Sequence, residues 1–254
     1  MIYDLQKASM WKRISAFLFD GILLAVAAVV CALALSGLMG YDGYARQVND
    51  AYTLYSEQYG VDLRMSMTEF EALDAAARKT AEEALNAMNQ DQEALRALGM
   101  VQQLSLLIPS LSFLLAYVLM EFVIPLLFKN GQTLGKKAFG IAVMHTDGVR
   151  LTAPMLFART ILGKYAVETM VPVYILVMLL LLGSMGIMGL IVLGLMLVLE
   201  IGVMIGTHTN SAVHDLIAKT VVVDMGSQKI FETREDMLAN KQKLHEEKVK
   251  NASY

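Results

Sequence analysis

Cysteine is almost missing from this chain: Cys31 is the only one in 254 residues, so no disulfide can form within it. Cys31 lies in an apolar stretch and reads as a small buried hydrophobe. Charge is missing locally. Asp, Glu, Lys and Arg make up 18% of the chain, yet none occurs in residues 21–41 or 172–199. Histidine is scarce as well. His145, His208, His214 and His245 are scattered, and the six-residue step from His208 to His214 in a loop is not a helix-presented metal pair, so no metal site is expected. The chain has no His-Glu-x-x-His motif and no Ser-His-Asp or Cys-His arrangement that can be placed. No enzyme is expected, and no cofactor or nucleic acid as partner.

The chain has an excess of apolar side chains, 56% of the total, against roughly 45–50% in an ordinary soluble domain. The excess is gathered into blocks, as expected where about 20 apolar residues are needed to cross the hydrocarbon core of a bilayer. The first predicted span covers about Ile14 to Met39. Its apolar run exceeds that of a signal peptide and Asp20 interrupts it, so an uncleaved helix is expected. The second covers about Leu104 to Phe128. The region from Pro172 to Gly206 is too long for one straight span, and Gly183-Ser184-Met185-Gly186 is its natural break. That gives a third helix from about Ile161 to Leu182 and a fourth from about Ile187 to Gly206.

Basic residues order this topology. Residues 42–99 hold five Lys and Arg against eleven Asp and Glu, while the other sixteen basic residues lie at the N-terminus, in 129–164, or from Lys219 on. Basic loops stay in the cytoplasm, so four spans with both termini cytoplasmic are predicted. The expected organisation is an N-terminus and first helix (1–40), an extracytoplasmic helical insertion (41–100), the second helix (101–128), a cytoplasmic loop (129–160), the last two helices with a closing motif (161–224), and a charged tail (225–254). The fold class is an all-α membrane protein with a short β-hairpin-like element in the cytoplasmic loop. In the insertion, Thr68-x-x-Glu71 reads as a capping box, and Tyr44, Tyr52, Tyr55 and Tyr59 share a helical stripe suited to packing.

Acids at membrane depth are expensive, so each needs a partner or a wet cavity. Asp20, Glu121 and Glu200 are the three such cases. Ser110 and Tyr117 fall on the helical face of Glu121, and Pro125 one turn later frees a backbone carbonyl near it. These five residues are candidates for an ion or proton pathway, with Na⁺ or H⁺ as the cargo. Four spans enclose little volume, so a homo-oligomer is expected. Gly202-x-x-x-Gly206 beside Glu200 is suited to close helix packing. The alternative is a non-transporting membrane scaffold that acts through the insertion.

The loop between the second and third helices carries Gly131-Gln132-Thr133-Leu134-Gly135-Lys136-Lys137, then Gly140-Ile141-Ala142-Val143, then Asp147-Gly148. The spacing is not that of a nucleotide-binding P-loop. Asp147-Gly148 between short apolar runs predicts a hairpin, joining Ile141–Met144 to Arg150–Thr152. Lys136, Lys137, Arg159 and Lys164 are candidates for lipid-phosphate contacts. Taken with Arg13, Phe19-Asp20-Gly21, His214-Asp215-Leu216 and Ala218-Lys219-Thr220-Val221-Val222-Val223, this loop resembles the RDD family of bacterial multi-spanning membrane proteins. The resemblance implies that Arg13, Asp20 and Asp215 are the charges for which the family is named. It implies the bacterial cytoplasmic membrane as location and a transport role for some members. Residues 42–99 depart from it, since the family usually has a shorter connection there.

Overall fold

A computed structural model of the chain describes residues 5–128, 130–172, 175 and 186–252. The elements run α1 (Met10–Met39), α2 (Tyr41–Tyr59), α3 (Met67–Ala72), α4 (Ala75–Met88) and α5 (Gln92–Val118). A π-helical turn, Leu119–Val123, leads from α5 into α6 (Ile124–Phe128). Then come α7 (Leu134–Ala138), β1 (Ile141–His145), α8 (Ala153–Phe157) and its π-helical continuation α9 (Ala158–Thr169). After the undescribed stretch follow α10 (Gly186–Gly206), α11 (Val213–Ile217), β2 (Thr220–Asp224) and α12 (Arg234–Ala252). The architecture is mainly α with one two-stranded sheet, as the sequence predicts.

Three helices among the described residues are long and apolar enough to cross a membrane: Met10–Met39, Gln92–Phe128 and Ile187–Gly206. The most apolar windows of the first and last bury none of their residues against the rest of the chain. Their side chains therefore need lipid or another protein as cover. The fourth predicted span is α10, whereas the third, from about Ile161 to Leu182, falls partly on residues 173, 174 and 176–182, so neither its end nor the Gly183–Ser184–Met185 part of the break lies within the described residues.

The chain packs as two units. One holds residues 25–116. Here α2 packs against α4, whose Ala81, Ala84 and Met88 are buried. The tyrosine stripe is used within this unit: the Tyr55 hydroxyl donates to the Asp91 carboxylate at 3.2 Å. The capping box sits two residues before its expected place. Ser66 Oγ accepts from the Glu69 amide and Glu69 returns a 2.7 Å bond to the Ser66 amide, while Thr68 is already inside α3. The Ser-x-x-Glu spacing is the same motif and begins nearer the turn that precedes α3. Asp74 then caps α4 through the Ala77 amide at 2.7 Å.

The other unit joins the described residues up to Leu24 with those from Tyr117 on. Its centre is the sheet. β1 pairs antiparallel with β2, from Ile141 opposite Asp224 to His145 opposite Thr220. The hairpin expectation is corrected here. The turn at Thr146–Gly148 forms, with the Gly148 amide bonded to the His145 carbonyl, but Arg150 continues to the Phe231 carbonyl and does not close on β1. Ala142, Val143, Met144, Val221 and Val223 are fully buried, because both faces of this small sheet are covered. Ala8 and Ala16 cover Ile141, Val143 and Val222 on one face; Leu5 and Ile230 pack on the other. Strands apolar on both faces need a partner that is equally apolar, and Thr220–Asp224 offers a better match than Arg150–Thr152.

The glycines of α10 do not pack as expected. A Cβ added at Gly194, Gly202 or Gly206 would meet nothing within 4 Å, so the Gly202/Gly206 pair makes no close helix contact among the described residues. Among the described residues nothing covers these glycine faces.

Candidate functional site

The family-signature loop and Asp20 form one device. Thr133 caps α7, and its hydroxyl also donates to Asp20 Oδ2, while the Gly135 amide donates to Asp20 Oδ1 at 2.7 Å. Gly135 is required by this approach: a Cβ there would collide with the Ala16 carbonyl and stand 2.8 Å from the Asp20 carboxyl carbon. Gly131, at φ +63°, turns the chain into the loop beside Val143 and Leu151. Asp20 is thus a buried anchor whose two oxygens are already satisfied.

Asp215 is the hub of a second cluster. It is completely buried. Its Oδ1 accepts from Arg159 Nε at 2.9 Å and Thr220 Oγ1 at 2.8 Å, and its Oδ2 faces Arg13 Nη2 at 3.4 Å. Arg13 also donates to the Asn210 carbonyl, presented by a residue at φ +52°. These contacts, Arg159 foremost, hold the Asp215 carboxyl below the usual carboxylate range although burial opposes it. The three residues for which the resemblance gave Arg13, Asp20 and Asp215 therefore split. Arg13 joins Asp215, and Asp20 serves the loop.

His214 extends the cluster. Its Nε2 lies 3.0 Å from Arg159 Nη2, and its Nδ1 lies 2.6 Å from Glu168 Oε2. Guanidinium can only donate, so Nε2 accepts and Nδ1 carries the proton given to Glu168. The His214 amide donates to the other Glu168 oxygen at 2.7 Å. Burial, then Arg159, pushes the imidazole below its ordinary range, so it stays neutral. Helices α9 and α11 meet closely at this point. A Cβ on Gly163 would stand 2.8 Å from the His214 Cβ.

Glu121 sits in the π turn just before Pro125. A proline cannot donate to the carbonyl four residues back, and a widened turn accommodates the missing bond. Lys164 donates to Glu121 Oε1 at 2.5 Å, while Oε2 is buried without a hydrogen bond. Tyr117 is buried one turn earlier, its ring 4.8 Å from that of Tyr165. Ser110 is exposed and bonds the Leu106 carbonyl of its own helix at 2.7 Å.

Of the predicted lipid-phosphate contacts, Arg159 is 3% exposed and points at Asp215, and Lys164 points at Glu121. Lys137 is exposed, with its ammonium 3.9 Å over the Phe128 ring. Lys136 is half-buried beside Thr133 Oγ1 at 3.3 Å. Burial pushes its ammonium down to about 8, against the pull of Glu121.

Glu200 lines a cavity of about 780 Å³ together with Glu168, His214 and Arg13. Ligand atoms of Glu168, Glu200 and His214 lie within 4.8 Å of one another. Both His214 nitrogens are engaged and Arg159 adjoins them, so the group suits a proton or a monovalent cation better than a divalent metal. Glu168 and His214 were not among the sequence candidates. The available signal was the surplus of cations in 129–164 facing too few expected acids, together with the position of His214 directly before Asp215.

No curated protein and no solved structure matches the chain. The family model of the RDD family matches residues 7–219, which takes in the residues of the two clusters except Thr220. The chain belongs to the RDD family and is, like its other members, a membrane protein.

Proposed function

We propose that this RDD-family protein is a cation- or proton-coupled transporter of the bacterial cytoplasmic membrane, with both termini cytoplasmic, working as a homo-oligomer without enzymatic activity. The observation that carries this reading is the Glu168–Glu200–His214 group on the wall of the cavity. Two carboxylates this close, partly removed from water, repel unless a cation or a proton lies between them. Glu200 makes no ion pair among the described residues, whereas Asp20 and Glu121 are already answered by hydrogen-bond donors. Of the three acids predicted from the sequence, Glu200 is therefore the exchange site, with Glu168 as its partner. Asp20 and Glu121 hold the surrounding helices.

The apolar and glycine faces of α10, uncovered among the described residues, support assembly of several copies. The topology rests on the distribution of basic residues. Reconstitution in vesicles tests the proposal. Flux driven by a pH or Na⁺ gradient should be present in the parent and lost in Glu200→Gln, with Ser110→Ala unchanged. A parent protein without flux, or a Glu200→Gln variant equal to it, contradicts the reading.

A further inference from the structure

Arg13, Arg159 and Lys164 line the cavity and each is in an ion pair. Lys136 lines it too, yet among the described residues its ammonium forms no ion pair, and Thr133 Oγ1 is its hydrogen-bond partner. The rest of the wall is mostly apolar. On α1 it includes Ile14 and Phe17; on α10 it includes Leu193, Leu197 and Met204, which share one helical face with Glu200 at successive steps of four, three and four. Phe17 and Leu197 remain 63% and 61% exposed although they line a cavity. A small hydrated ion would leave that wall uncovered.

We propose that this cavity holds one anionic phospholipid, with its phosphate on Lys136 and an acyl chain along the wall of Ile14, Phe17, Leu193 and Leu197. A phosphate supplies a direct ion-pair partner for an ammonium that otherwise feels Glu121 and Asp20 without pairing to either among the described residues. The acyl chain covers apolar surface of Phe17 and Leu197 that stays exposed among the described residues. The volume falls within the range of about 300–1,000 Å³ of small-molecule pockets, enough for a headgroup and part of one acyl chain with the rest of the lipid outside, and basic pockets between membrane helices are suited to anionic headgroups. The lowered titration of Lys136, caused by burial, fits the same picture, since an anion beside the ammonium would raise it again. This site stands on Lys136 and the apolar wall, and is independent of whether ions flow past Glu200.

Native mass spectrometry of the full chain in mild detergent tests it, with phosphatidylglycerol and phosphatidylcholine supplied in parallel. The parent should retain phosphatidylglycerol and release phosphatidylcholine. Lys136→Gln should lower retention by about fivefold, the factor that corresponds to roughly 1 kcal/mol for one lysine at an anionic lipid. Lys136→Arg and the exposed Lys137→Gln should behave as the parent, which separates loss of the phosphate contact from a failure to fold. Equal retention by Lys136→Gln and the parent overturns the proposal. Displacement of the lipid by inorganic phosphate alone also overturns it, because the wall would then contribute nothing.

Discussion

Asp215 balances Arg159 and Arg13 at once, so its charge cannot be removed without leaving one buried and one partly buried guanidinium group without their partner. Breaking a buried pair by removing one partner costs about 3–5 kcal/mol. Asp215→Asn should therefore lower the unfolding temperature in detergent far more than Asp147→Asn, where the carboxylate is half-exposed; equal effects would contradict the assigned network. Gly135→Ala tests the other cluster. Its Cβ would be driven into the Asp20 carboxylate and the Ala16 carbonyl, and overpacking of this kind costs about 1–3 kcal/mol. Gly140→Ala meets no neighbour, although its φ of +64° adds backbone strain. His214 predicts a pH dependence. Its folded titration lies below the ordinary value, so the unfolded chain takes up a proton first as pH falls below about 6.5. The stability His214 contributes is complete above that pH and is lost as pH drops toward the folded value. The fall in unfolding temperature below about pH 6.5 should be shallower in His214→Gln, and an unchanged slope would count against a neutral His214.

Among the elements, the spans were legible because their signal is local. A run of apolar residues without charge needs no knowledge of its neighbours, and α1 and α10 lie close to their predicted limits. β1 was legible as a strand and its partner was not. Thr220–Asp224 is about 75 residues away in sequence, and only burial on both faces selects it over the nearer Arg150–Thr152. The same limit applies to the site. Asp20, Glu121 and Glu200 stood out as acids in apolar helices, but Thr133, Gly135 and Arg159 acquire their roles through contacts 55 or more positions away, which spacing along one helix cannot reveal. The insertion in 42–99 is self-sufficient, with its own caps and its own use for Tyr55. Ser66→Ala should cost about 1 kcal/mol through the lost cap. Deleting residues 45–95 should leave ion flux in vesicles intact; abolished flux with the remaining helices folded would show that the insertion belongs to the pathway.

At the level of the whole molecule, charge is distributed by task. The acid nearest the signature loop is fully answered, the acid in the π turn is paired, and the acid on α10 faces a cavity beside a second carboxylate. Such a division keeps most buried charges as fixed parts of the fold and leaves one pair able to exchange its counter-ion. Proton release on addition of Na⁺, followed with a pH indicator in weakly buffered detergent solution, reads that exchange without requiring transport. The parent and Glu121→Gln should release protons in proportion to the amount of protein, while Glu168→Gln and Glu200→Gln should release none. Release that persists in both of the latter variants, or that is missing from the parent, would contradict the assignment of the Glu168–Glu200 pair as the exchange site.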